Sequence, residues 1–119
     1  MQPEERTTCA QLPRGEAIAQ LNDALRQRGQ HGVIMVTAGV RSLRGYNPVM
    51  VAAALAGYAA FDADNDPHGE RDFGDLTLFG ADLLWKIDYY DLALEYGSPD
   101  PTDTSVTTRV LTVMLASEY

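Results

Sequence analysis

Residues 61–91 read FDADNDPHGERDFGDLTLFGADLLWKIDYYD, an acidic, turn-rich segment set directly ahead of two apolar runs separated by Gly80. Between Asp62 and Asp72 the chain is dense in Asp, Asn, Pro and Gly. Such residues bond their own backbone and favour turns, so the segment is expected to be a loop. Leu76-Thr77-Leu78-Phe79, a turn around Gly80-Ala81-Asp82, and Leu83 to Tyr90 then predict a β-hairpin. Alternation along its second strand puts Trp85, Ile87 and Tyr89 on one face and Lys86, Asp88 and Tyr90 on the other. One face therefore belongs to the core and the other meets water.

Toward the N-terminus, Asn47-Pro48 is a helix opening, with a capping side chain followed by a proline at the first helical position. The run VMVAAALAGYAAF places Val51, Leu55 and Tyr58 on one stripe among alanines and predicts a central buried helix that closes by Phe61. Arg41 to Tyr46 reads as a loop. Val33 to Thr37 is a β-branched run without alternation, expected to be a strand covered on both faces and ended by Gly39. Pro13 to Arg28 spaces Ile18, Leu21 and Leu25 as an amphipathic helix with Gly29 as its stop.

Residues 1–12 show no periodicity and are expected to be a flexible lead-in. Toward the C-terminus, Tyr96 to Pro101 breaks regular structure, and Val106, Val110, Val113 and Met114 share a helical stripe. A last helix up to Ala116 is predicted, although the Thr and Val content would also suit a strand. The expectation is one α+β domain over residues 13–119, in the order α-β-α-β-β-α, with helices packed on a short, mainly antiparallel sheet.

At 119 residues and 45% apolar the chain can bury one modest core. Cys9, its lone cysteine, excludes an internal disulfide. No apolar run is long enough for a membrane span, and the charged N-terminus lacks the hydrophobic segment of a signal peptide, so a cytoplasmic protein is expected. The net charge of −8 is uneven: residues 62–103 hold twelve acids against Arg71 and Lys86, while residues 1–61 hold six arginines against four acids. An acidic field of this kind repels nucleic acid and attracts cations or basic protein surfaces. Direct nucleic-acid binding is not expected.

The stretches NDPHGERDFG (65–74), WKIDYYD (85–91), YGSPDP (96–101) and TRVLTVMLASEY (108–119) resemble a family of small bacterial proteins classified as a domain of unknown function, encoded on chromosomes and plasmids. The resemblance implies a family and no activity. The family pattern usually carries His where this chain has Arg71, so no role that requires a histidine there carries over.

Asp62, Asp64 and Asp66 alternate as at the start of a calcium-binding EF-hand loop, but Pro67 stands where that loop turns on glycine and Phe73 where its closing glutamate belongs. Turn formation is the plainer reading of these aspartates. His68, Glu70, Asp72 and Asp88 could hold a divalent metal for a small hydrolase, with His31 the only other histidine. No complete catalytic motif accompanies them. Arg71 is expected to pair with the neighbouring acids and relieve their repulsion. Trp85, Tyr89, Tyr90 and Tyr96 would make a stacking platform only in basic surroundings, which the segment lacks. Arg26, Arg28, Arg41 and Arg44 would form at most a weak basic patch.

The leading expectation is therefore a non-enzymatic interaction module without a cofactor. Its contact residues would be Asp62, Asp64, Asp66, His68, Glu70, Asp72, Lys86, Asp88, Tyr90 and Asp91, and its partner a basic protein surface, as in a mobile-element inhibitor of host nucleic-acid defence that imitates DNA. A metal-dependent hydrolase and a structural homodimer using an exposed strand edge are the alternatives.

Overall fold

The computed structural model describes residues 12–119. Helix α1 (Arg14–Arg28) begins after Pro13, carries Glu16 in its first turn and Arg26 and Arg28 in its last, and stops where Gly29 takes a φ of 70°. The amide of Gly29 returns to Leu25 and that of Gln30 to Ala24, so a left-handed glycine closes the helix. Strand β1 (Gly32–Val36) runs into the short helix α2 (Ala38–Arg41), whose first turn is capped by the Thr37 side chain. Helix α3 (Pro48–Gly57) opens on the Asn47 side chain, which accepts from the Val49 amide, with Pro48 in the first turn.

Strands β2 (Phe73–Leu78) and β3 (Ala81–Tyr90) form the predicted hairpin, pairing Leu78 with Ala81. The turn is Phe79-Gly80, one residue earlier than the sequence suggested, with φ of 57° and 72°. Two consecutive left-handed residues match the twist of the flanking strands. Strand β4 (Thr108–Leu115) follows, and a 3₁₀ turn (Ala116–Glu118) ends the chain.

The last major element corrects the predicted helix over Val106 to Ala116. Val110, Leu111, Val113 and Met114 are all buried, and β4 lies inside the sheet between β1 and β3. A helix would have left part of the apolar run VLTVML in water, whereas a central strand buries both of its faces. The β-branched side chains there also suit extended backbone. The α+β class holds, and the element order is roughly as expected apart from this last member and the added short helix α2, which takes up Gly39 where only a strand end was predicted. The sheet order is β1-β4-β3-β2, with β1 parallel to β4 and the other two pairings antiparallel.

Leu25, Val40, Val51 and Leu55 from the helices close on Leu83, Trp85, Ile87, Leu111 and Val113 from one sheet face. Among the described residues the helices of this core lie on that one face, and Val110 and Met114 are buried on the other. The C-terminal turn carries Tyr119 back to the Phe73 ring, with 5.8 Å between centroids. Two further expectations are corrected. α3 is not central: only Val51 and Leu55 are buried, while Val49 and Met50 are exposed. β1 is not covered on both faces, because it is an edge strand with Val33, Ile34 and Met35 all exposed. Among the described residues no helix is long and apolar enough to cross a membrane. The expected lead-in, Cys9 included, lies outside the described residues save for Leu12.

Candidate functional site

Within the acidic loop the aspartates bond the backbone first. The Asp62 carboxylate accepts from the amides of Asp64 and Asn65 at 2.9 and 3.0 Å. Asn65 reciprocates, accepting from the Asp62 amide and donating to the Ala60 carbonyl. Asp66 accepts from the Arg71 amide at 3.0 Å. These are the turn-forming bonds that Asp and Asn supply. They hold the Asp62 and Asp66 carboxylates in place without discharging them, and Asp62, Asp64 and His68 remain exposed.

Arg71 does not serve the loop as expected. Held at a φ of 53°, it turns its guanidinium toward α1, where Nε bonds Asp23 at 3.0 Å and Nη2 bonds Glu16 at 3.0 Å. Those bonds hold the Glu16 carboxyl below its ordinary range. Among the described residues no ion pair includes Asp62, Asp64, Asp66, Glu70 or Asp72. Burial pushes the Asp72 carboxyl up, and the charge of Glu70 beside it adds to the rise. On the sheet face opposite the helical core Lys86 pairs with Asp88, which raises the lysine's pKa. Asp91 turns back to accept from the Glu95 amide, and Tyr90 bridges to Gly97.

The sequence-predicted residues thus separate into a loop group, Asp62 to Asp72, and a β3 group, Lys86 to Asp91. They meet where the Ile87 amide donates to the Asp72 carbonyl. No three His, Cys, Asp or Glu side chains among the described residues gather as metal ligands would, and this includes His68, Glu70, Asp72 and Asp88. Trp85 is fully buried against the edges of Tyr58 and Phe61 and offers no stacking platform.

Beneath the loop lies a polar network that sequence reasoning missed. Arg109, fully buried on β4, donates from Nε to Asn22 Oδ1 at 3.0 Å and from Nη2 to the Pro101 carbonyl. Asn22, fully buried on α1, donates to the Tyr89 hydroxyl at 2.8 Å and to the Glu70 carbonyl at 3.0 Å. The Tyr89 hydroxyl then donates to Glu70 Oε1 at 2.8 Å. A hydrogen-bonded chain therefore runs from the core to a loop carboxylate. Burial pushes the Tyr89 hydroxyl pKa up and the Arg109 pKa down, while the guanidinium lies 5.2 Å over the Tyr89 ring. Nη1 of Arg109 has no protein partner among the described residues.

A second buried cation, Arg26, leaves the predicted surface patch. It donates to the carbonyls of Leu55 and Tyr58 at 2.8 and 3.0 Å and pairs with Asp23. These carbonyls end α3, where a cation also suits the helix dipole. Two signals could have found these residues. Asn22 and Arg26 continue the stripe begun by Ile18 at intervals of four, and Arg109 interrupts an otherwise apolar and β-branched run.

The four stretches that carry the family resemblance converge on the network, through Glu70 and Arg71, Tyr89, Pro101, and Arg109. Their common arrangement is a cross-brace between loop, sheet and first helix. No curated protein and no solved structure matches the chain. The model of the family described as "Protein of unknown function (DUF3768)" matches residues 36–118, more than half of the chain, and the protein belongs to that family.

Proposed function

We propose that this protein is a non-enzymatic interaction module of the cytoplasm whose acidic loop and adjoining hairpin meet a basic protein surface. One observation carries the reading. Both cations of the acidic segment are engaged elsewhere, Arg71 by α1 and Lys86 by Asp88, while the loop carboxylates stay without an ion pair among the described residues. Asp75 and Asp82 add exposed negative charge on the same hairpin.

Backbone amides of the loop hold the Asp62 and Asp66 carboxylates in position before any partner arrives, which lowers the ordering cost of binding. A groove that ordinarily receives nucleic-acid phosphates has the complementary charge. A mobile-element inhibitor of host nucleic-acid defence, of the anti-restriction or anti-CRISPR type, would act in this way.

Affinity capture from the native cell at graded NaCl, with wild type and an Asp62→Asn/Asp64→Asn/Asp66→Asn variant, tests the proposal. Asn keeps the turn-forming acceptor and removes only charge. A basic partner held at low salt, released as salt rises and lost by the variant is the expected result. Recovery that ignores both salt and the substitutions would refute it.

A further inference from the structure

The two edges of the sheet are unlike. β2 presents exposed Asp75, with Asp82 opposite Thr77 on its hairpin partner, and like charges there oppose the approach of a second strand. β1, at the other edge, reads Gly-Val-Ile-Met-Val and carries no charge. The Thr37 amide donates to the Val113 carbonyl at 3.0 Å, so by alternation the odd-numbered residues of β1 address β4. Gly32, Ile34 and Val36 turn their peptide groups outward. The Val36 carbonyl is met by Arg41 at 2.9 Å, and the Ile34 amide and carbonyl have no strand beside them among the described residues. Val33, Ile34 and Met35 are 48%, 39% and 57% exposed, and a groove of about 260 Å³ opens beside Ile34 and Val36, against Tyr46 and Val51 of the helical side.

We infer that β1 is a self-association edge, pairing antiparallel with β1 of a second copy about a two-fold axis at Ile34. That register pairs Ile34 with Ile34 and Gly32 with Val36, whose carbonyl keeps its Arg41 donor and accepts the second donor through its other lone pair. It sets Val33 beside Met35 of the other copy on the sheet face opposite the helical core, as a close non-hydrogen-bonded pair. The two Ile34 side chains meet on the helical face and cover the grooves. A copy of this chain is the occupant, because the uncharged strand is complementary to itself about Ile34 and the acidic loops stay apart. The acidic loop leads into β2, so pairing through β1 sends the two acidic ends to opposite extremities of a sheet of twice the four strands. Antiparallel pairing also brings the Thr37 end of one strand, where the hydroxyl donates to the Glu118 carboxylate, against the Arg28–His31 end of the other.

The test is sedimentation velocity on the full chain from about 5 to about 500 µM, with amide hydrogen exchange on the same samples. The mass should rise from 13.0 kDa toward twice that value. The Ile34 amide should exchange fast at the low end and slowly at the high end, while the Met35 amide stays protected throughout. Val33→Lys/Met35→Lys, at exposed positions, should remain monomeric because the register sets lysine beside lysine. Val33→Lys/Met35→Glu should dimerise again because the same register sets lysine beside glutamate. A wild type monomeric at every concentration, an Ile34 amide equally protected in the dilute monomer, or a lysine pair that still dimerises would overturn the inference. So would a charge-swapped pair that does not recover the dimer.

Discussion

Replacing the fully buried Asn22 with alanine removes three hydrogen bonds. The Glu70 carbonyl loses its donor at 3.0 Å, the Tyr89 hydroxyl loses its donor at 2.8 Å, and the Arg109 Nε–H loses its acceptor at 3.0 Å. Tyr89 still donates to Glu70 and is not stranded. The other two groups are stranded. The stranded Arg109 donor, charged and buried, costs about 3 kcal/mol and the part-buried Glu70 carbonyl about 1 kcal/mol, giving a loss on the order of 2–5 kcal/mol. Since small domains hold only about 5–15 kcal/mol in total, Asn22→Ala should move the unfolding midpoint close to the unstressed condition. Trp85, the lone tryptophan and fully buried, reports urea unfolding by its emission. Tyr89→Phe should cost less, about 1–2 kcal/mol, because it leaves Arg109 bonded to Asn22. The two substitutions share one hydrogen bond, so their sum should exceed the double variant's loss by about 0.5–1 kcal/mol or more. A loss below about 1 kcal/mol for Asn22→Ala at unchanged m-value, or strict additivity of the pair, would show that Arg109 finds its partners elsewhere.

Gly74→Ala should destabilise by about 1–3 kcal/mol in thermal unfolding, since a Cβ there would stand 2.5 Å from Trp85 Nε1 and 2.6 Å from Tyr58 Cζ. Asp72→Asn should stabilise at neutral pH, because burial and Glu70 raise the carboxyl's folded-state pKa above its ordinary 3.8. The native form then binds its proton more tightly than the unfolded chain, so the stability gained is present at low pH and lost as pH rises through the folded pKa. Urea midpoints of wild type and Asp72→Asn should converge below about pH 4 and separate above it. Arg71→Ala should cost about 1–2 kcal/mol, less in 1 M NaCl, by releasing Glu16 and Asp23. Arg71→Gly should be more stable than Arg71→Ala by about 1 kcal/mol, because glycine adopts the φ of 53° without strain.

Local chemistry was legible wherever a few neighbouring residues decide the outcome. Asn47-Pro48 opens a helix, Gly29 closes one, and the alternation of Trp85, Ile87 and Tyr89 sets a sheet face, each within reach of a single turn or strand. Thr108–Leu115 was misread because Val106, Val110, Val113 and Met114 fit a helical stripe by coincidence. The strands that pair with its two edges, β1 and β3, are distant in sequence, and only they decide that the segment is extended and central. Val33–Val36 is a strand as expected, but it is not covered on both faces, since an apolar run predicts burial and an edge position leaves it exposed. The acidic loop was read correctly as turns. Its arginine was not, because Asp23 and Glu16 lie 48 and 55 residues away in sequence. The Asn22–Arg109 bond spans 87 residues and no local pattern announces it.

Counting charge by position changes what the net −8 means. Arg109 is buried and bonded to a carbonyl and an amide, and Arg26 is buried and spends its charge on Asp23 and two carbonyls, so neither offsets a loop acid. Arg71 and Lys86 are held by acids, as is Arg14 by Asp100. Among the described residues the exposed arginines outside these pairs are Arg28, Arg41 and Arg44, and all three flank β1. The exposed loop acids lie toward the opposite edge of the sheet, ahead of β2. The domain is therefore polarised along the direction in which its strands are stacked, with an apolar edge set among arginines at one end and carboxylates fixed by their own backbone at the other. A basic partner approaching the loop and a second copy approaching β1 would meet opposite ends. Salt should accordingly weaken the first contact much more than the second, which rests on backbone pairing and apolar contact. If raising NaCl dissociated both in parallel, the separation of roles between the two edges would be wrong.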